Sequence, residues 1–246
     1  MNASGGDVEA PLPPRRVTPL EAANLTASGL RFPLTEPSLL ALVQDALDED
    51  HADNDVTTLA TVLSSRRARA RLVAREPGVV AGVPLALAAF RLADPSVDIR
   101  IDREDGAAVQ RGATVLHLSG HARGILAAER TALNFMQRLC GVASLTRRYV
   151  DAVAGTRAAI LDTRKTTPGW RLLEKYAVRC GGGTNHRMDL ASAVLIKDNH
   201  LSAVDGDVAA AVRRVREFAG PAIPVQVECD TLDQLHAAID AGADSV

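Results

Sequence analysis

From Ala158 onward one pattern repeats and limits the folds open to this chain: a short apolar run ends in a charged residue, and an amphipathic stretch follows. AAILDT ends at Asp162, with a helix expected over 171–180. ASAVLIKD ends at Lys197, with a helix expected over 204–218. IPVQVECD ends at Glu228, with a helix expected over 231–241, and ADSV begins a further strand. Short, continuously apolar strands suit a parallel sheet covered by helices. The 31 residues from Lys197 to Glu228 are about one strand-helix unit. In a βα barrel the side chains at strand C-terminal ends face the active site, so Asp162, Lys197 and Glu228 are expected at one mouth.

The same stretch holds every lysine of the chain. Of 28 basic residues only Lys165, Lys175 and Lys197 are lysines, and a compact charge on a flexible stem is not exchangeable with the planar arginine fork where a site must reach a small anion. At least two of the three are expected in a site. DTRKTTPGW places Arg164 and Lys165 beside two hydroxyls, and CGGGTNHR brings His186 and Arg187 behind Gly181, Gly182 and Gly183, which free the backbone to approach a ligand or merely connect. Arg164, Lys165, His186, Arg187 and Lys197 together predict a substrate with several negative charges, carboxylate or phosphate. Glu228 has three readings: a Mg²⁺ contact, a stabiliser of positive charge growing on a sugar carbon, or a structural partner of Lys197. No Ser/His/Asp or Cys/His nucleophile arrangement is visible, which favours a transfer in which the protein mainly positions charge.

Composition narrows the classes further. A net charge of -2 and 3% aromatic residues argue against nucleic-acid binding. The most apolar run, 78–93, is interrupted by Pro84 and Arg91 and is too short to span a membrane. Three separated cysteines without a CxxC pair indicate reduced thiols, and with no secretory pattern near Met1 a cytoplasmic location is expected.

Residues 1–37, rich in proline, glycine and serine, read as a mobile arm. A helix over 37–49 with Ser38 as cap follows, then a polar loop, HADNDVTT, whose acidic residues lack the spacing of an EF-hand. Residues 67–119 read as strands and turns around a helix over 85–92, a small α+β unit, and the segment around Asp105 reads as turn chemistry. Residues 124–153 form a long helix, bent at Gly141, with Leu126, Leu133, Met136 and Cys140 as its apolar stripe and Arg130, Asn134 and Arg138 on another face.

ERTALNFMQRLCGVAS (129–144), DTRKTTPG (162–169), EKYAVRCGGGTNHR (174–187) and LIKDNH (195–200) closely resemble the quinolinate phosphoribosyltransferases, the carboxylating nicotinate-nucleotide diphosphorylases of NAD biosynthesis. The resemblance extends from about Leu39 to Val246. It implies an N-terminal α/β sandwich domain, here 38–153 with its long connecting helix, followed by an incomplete α/β barrel of the type II phosphoribosyltransferase kind, here 154–246. It implies a homodimer or higher homo-oligomer whose active sites borrow residues from a neighbour. It assigns Arg164, His186, Arg187 and Lys197 to the quinolinate carboxylates, and Lys165 to substrate and phosphoribosyl groups. Arg130 falls where the family reaches the partner's site, and Glu228 lies near the ribose and Mg²⁺, with Lys165, Lys197 and Glu228 as the catalytic set. The implied reaction joins quinolinate to phosphoribosyl pyrophosphate with loss of pyrophosphate and CO₂. A paralogue with another acceptor and a non-catalytic fragment are the alternatives. The family pattern continues past ADSV into a second acidic strand end and phosphate-binding loops, so residues 1–246 alone are expected to give no measurable nicotinate mononucleotide.

Overall fold

The computed structural model describes residues 29–246. The expected arm lies outside the described residues as far as 28. Within 29–37, Phe32 is buried and meets the ring of Tyr176 edge-on at 5.1 Å. By packing, the described residues divide into two units, one of 29–162 with 167–184, the other of 163–166 with 185–246. Residues 154–162 and 167–184 pack with the first unit.

In the first unit, α1 (Glu36–Glu49) buries Leu39, Val43 and Leu47. Its cap is Thr35, whose hydroxyl accepts from the Ser38 amide, so Ser38 lies inside the first turn rather than capping it. The expected polar loop is partly helical: a 3₁₀ turn (Ala52–Asn54) leads to α2 (Val56–Thr61), which Asp55 caps through the Thr58 amide at 3.0 Å. Antiparallel strands β1 (Arg67–Val73), β3 (Asp98–Ile101) and β5 (Thr114–His121) form a sheet in the order β1-β5-β3, and β2 (Gly78–Val79) pairs with β4 (Ala108–Val109). The α+β expectation for this region is met.

Helix α3 (Val83–Ala93) is buried at every position from Val83 to Phe90, as a helix apolar all round must be. It starts at Gly82, whose φ of +97° suits glycine and where a Cβ would come within 3.0 Å of Leu139. Its first amide, Val83, donates to buried Asp105 at 3.0 Å, and the Tyr176 hydroxyl donates to the same carboxylate at 2.8 Å. Asp105 is thus a buried link between elements and not simply a turn residue; its burial pushes the carboxyl pKa upward.

Helix α4 (Ala122–Ala152) runs unbroken through Gly141. Its buried stripe is Ile125, Ala128, Ala132, Phe135, Met136, Leu139 and Ala143, displaced from the expected one: Leu126 is 43% exposed and Leu133 only half-buried. The two stripes share only Met136; the buried one is turned toward α3, where small Ala128, Ala132 and Ala143 are buried together with Ile125, Phe135 and Leu139. Helix α5 (Arg171–Cys180) matches its expected bounds. The strand expected at Asp162 is reduced to a single bridge, Leu161 to Thr184.

Asp94 ties α3 to the sheet. Its side chain is 6% exposed and accepts from the His121 amide at 2.8 Å and the Ser96 hydroxyl at 2.6 Å. Burial alone would raise its pKa, but these hydrogen bonds outweigh it and hold the carboxyl down at about 2, against an ordinary 3.8. The folded pKa lies below the unfolded one, so the stabilisation is present above pH 3.8 and is lost as pH falls toward 2. We expect about 2 kcal/mol from this group near neutrality. Urea unfolding of Asp94→Asn against pH should show the deficit above pH 4 and its disappearance near pH 2.

In the second unit, β6 (Val194–Ile196) and β7 (Val225–Val227) are parallel, with Ile196 opposite Val227, and Gln226 bridges to Ser245 where the next strand was expected. The helix expected over 204–218 is α7 (Val208–Ala219), which starts later because Asp207 caps it through the Ala210 amide, and a short helix not expected from the sequence, α6 (Asp198–Ser202), precedes it. Helix α8 (Leu232–Asp240) begins at Thr231, which forms a capping box with Gln234. Ile196, Val225 and Val227 pack with Val208, Val212 and Ala238 of the helices. The parallel, helix-covered sheet deduced from the repeat is present.

Candidate active site

Alternation along a strand sends neighbours to opposite faces. With Val225 and Val227 turned into the helix-covered core, Gln226 and the following Glu228 share the opposite face of β7, and Leu195 and Lys197 share it on β6. The register then sets Lys197 beside Glu228: Lys197 Nζ lies 3.2 Å from Glu228 Oε2. Both side chains are substantially exposed, at 38% and 57%, so each can turn to a ligand. One step back on β7, Gln226 Oε1 sits 2.9 Å from His186 Nε2 and fixes the imidazole over the same face.

Arg187 is anchored by a 3.0 Å hydrogen bond from Nη1 to the Ala193 carbonyl, at the approach to β6. Its pKa is lowered by burial and then by the neighbouring charge of Arg164. Two guanidiniums held close repel one another, and an anion between them relieves that repulsion. Asp189, which also feels Arg164, is engaged by the Ala191 and Ser192 amides at 2.9 and 2.8 Å, and these bonds hold its carboxyl below the usual range. Arg164 Nε is a buried donor without a hydrogen-bond partner. Such an atom costs about 1–3 kcal/mol unless satisfied, and a substrate oxygen would satisfy it. Lys165 is exposed in the same unit, its amide donating to the Thr163 hydroxyl at 3.0 Å.

Other expected residues have different surroundings. Asp162 belongs to the first unit, where its carboxylate is bound by Lys175; their side chains are 6% and 1% exposed. Asp162 is therefore a buried ion-pair partner there rather than an open strand-end donor, and Lys175 is the lysine devoted to the fold. The triple glycine also serves packing. A Cβ on Gly181 would strike the Ala143 carbonyl and one on Gly183 would approach Thr146 Cγ2 at 2.8 Å, so these glycines let the segment lie against α4 rather than against a ligand. Of the polar row on α4, Arg138 is committed to Glu174 at 2.6 Å. Arg130 is exposed, in the first unit, on a groove of about 850 Å³ that also includes Arg71, Arg75 and Glu129.

Sequence reasoning passed over Gln226 and the Ala193 carbonyl, which hold His186 and Arg187. The first had a signal, a polar residue between two valines in an apolar strand. The second had none, since a carbonyl carries no side-chain signature.

A parallel βα unit with Lys197 and Glu228 at its strand ends, and with Arg164 near Arg187 in the same unit, is suited to binding an anion. Residues 55–140 match the quinolinate phosphoribosyl transferase N-terminal domain family, and residues 142–246 match the corresponding C-terminal domain family. The chain is 48% identical over 200 residues to the nicotinate-nucleotide pyrophosphorylase [carboxylating] of Mycobacterium leprae, covering 79% of this chain and 69% of that protein. It is 42% identical over 233 residues to the chloroplastic enzyme of that name from Oryza sativa, covering 91% of this chain and 62% of the relative. Among solved structures, NadC from Streptococcus pyogenes aligns with a TM-score of 0.81 at 40% identity, covering 86% of this chain and 74% of that one. The chain belongs to the quinolinate phosphoribosyltransferase family, whose named members are pentosyltransferases, and the expected mixed α/β fold of that family is the one observed. The paralogue with another acceptor is not favoured.

Proposed function

We propose that this chain transfers a phosphoribosyl group from phosphoribosyl pyrophosphate to quinolinate, with decarboxylation, for NAD biosynthesis. The observation that carries the reading is the coupling of Arg164 to Arg187 with an unpartnered buried Nε, near-neighbour cations suited to paired carboxylates. Arg164, Arg187 and His186 bind and orient the quinolinate carboxylates, and Lys197 leaves Glu228 to take a carboxylate oxygen. Lys165, exposed on its loop, meets the phosphoribosyl group. The pyridine nitrogen then attacks the anomeric carbon as pyrophosphate departs; the cationic ring nitrogen stabilises the electron pair left on the adjacent carbon when its carboxylate leaves as CO₂, and a proton from solvent takes the carboxylate's place. Glu228 faces the positive charge that grows on the sugar carbon.

Among the described residues no cluster of three or more His, Cys, Asp or Glu could hold a metal. One exposed carboxylate fits an ion that is carried chiefly by substrate phosphates and contacts a single protein group. Mg²⁺ bound in that way, near Glu228, would neutralise the departing pyrophosphate. A homodimer in which Arg130 serves the neighbouring site belongs to the same proposal, supported by the exposure of Arg130 on its groove. A cytoplasmic location belongs to the same proposal, resting on the three free thiols Cys140, Cys180 and Cys229.

Because two carboxylates engage more cations than one, quinolinate is expected to raise the thermal midpoint of the full-length chain more than nicotinate at equal concentration. Equal or stronger protection by nicotinate would reject quinolinate as the acceptor.

A further inference from the structure

Two consecutive residues of opposite charge on α5 grip the two ends of the loop that carries Arg164 and Lys165. At the near end, Lys175 binds the Asp162 carboxylate. At the far end, Glu174 Oε2 accepts from the Thr167 amide at 3.1 Å, and its Oε1 accepts from the Thr167 hydroxyl at 2.8 Å. Arg138 closes the far anchor: its Nη2 donates to Glu174 Oε1 at 2.6 Å and to Thr167 Oγ1 at 3.0 Å. Adjacent helix positions diverge by about 100°, so the two anchors leave α5 on separate flanks and hold Asp162 and Thr167, the residues on either side of 163–166. Between them the Lys165 amide donates to the Thr163 hydroxyl, and the Thr166 amide to the Arg164 carbonyl at 3.0 Å. Pro168 favours an extended backbone at Thr167 and stiffens the exit.

We propose that Glu174, Thr167 and Arg138, with the Lys175–Asp162 pair, are positioning residues that pre-order the Arg164–Lys165 loop for its anionic substrate. None of them needs to touch substrate. They remove the ordering that binding would otherwise require, which is how preorganisation raises affinity. The proposal rests on the quinolinate reading above for its choice of ligand.

Thr167 is the sharpest probe because it is exposed and contributes little to the core. In the full-length chain, Thr167→Ala is expected to raise the quinolinate KM about tenfold through the ordering that binding must then supply, with a smaller change in kcat and a thermal midpoint lowered only by the loss of one hydrogen bond to Glu174. Thr167→Ser keeps the hydroxyl and should restore the KM, and Glu174→Gln should raise it as Thr167→Ala does. Amide hydrogen exchange at Lys165 and Thr166 should quicken in Thr167→Ala and Glu174→Gln. An unchanged KM in both variants, with or without a lower thermal midpoint, would overturn the proposal, as would a KM rise that serine does not rescue. If the unsubstituted chain itself fails to bind quinolinate, the ligand assignment fails; the exchange rates at Lys165 and Thr166 still decide whether these residues order the loop.

Discussion

Lys175→Met is expected to destabilise the protein by about 3–5 kcal/mol, the cost of leaving a buried charge without its partner. The Lys175 side chain is 1% exposed and that of Asp162 6%, so water cannot replace the lost ammonium at the carboxylate. Asp162→Asn in the same background removes the stranded charge and should recover much of the loss, because a buried pair replaced on both sides can be nearly neutral. Urea unfolding of the two single variants and the double variant gives the coupling directly. If the single losses simply add, the pair is not the source of the cost.

Lys197→Ala is the second large effect, and its direction is opposite in kind. The Lys197–Glu228 pair is well exposed and exchanges readily with solvent, which caps its contribution to stability at about 1 kcal/mol. Quinolinate affinity should instead fall by about 1.5–3 kcal/mol, the range for a hydrogen bond to a charged group. Calorimetric titration below the melting range, beside a thermal melt, separates the two. A marked loss of stability with affinity unchanged would make Lys197 the structural partner of Glu228 and remove it from the substrate pocket.

The contrast between these lysines was not legible from spacing. Lys165, Lys175 and Lys197 stand within one short stretch and share a chemistry, yet Lys175 is interred beside Asp162 while Lys197 emerges at the end of β6. Composition marks a lysine as unusual; only packing decides whether its charge is spent on a carboxylate of the fold or left to a ligand. The glycines at 181 and 183 divide in the same way. Their freedom to approach closely was visible, but what they approach, the Ala143 carbonyl and Thr146, is set by a helix some 40 residues away in the chain.

The local grammar was self-sufficient where the pattern is short-range. Apolar runs of fixed length ending in Lys197 and Glu228 determined parallel strands covered by helices, and the parallel register follows from their equivalence. The cationic set Arg164, His186, Arg187 and Lys197 was likewise written in the motifs. Tertiary structure alone decided which cations were already satisfied: Arg138 by Glu174, Lys175 by Asp162, and Arg164 Nε by nothing. The physical reason is that a sequence specifies which groups carry charge and which way a strand or helix turns them, whereas the energy of each charge depends on what other segments bring within a few ångströms and how much water they exclude.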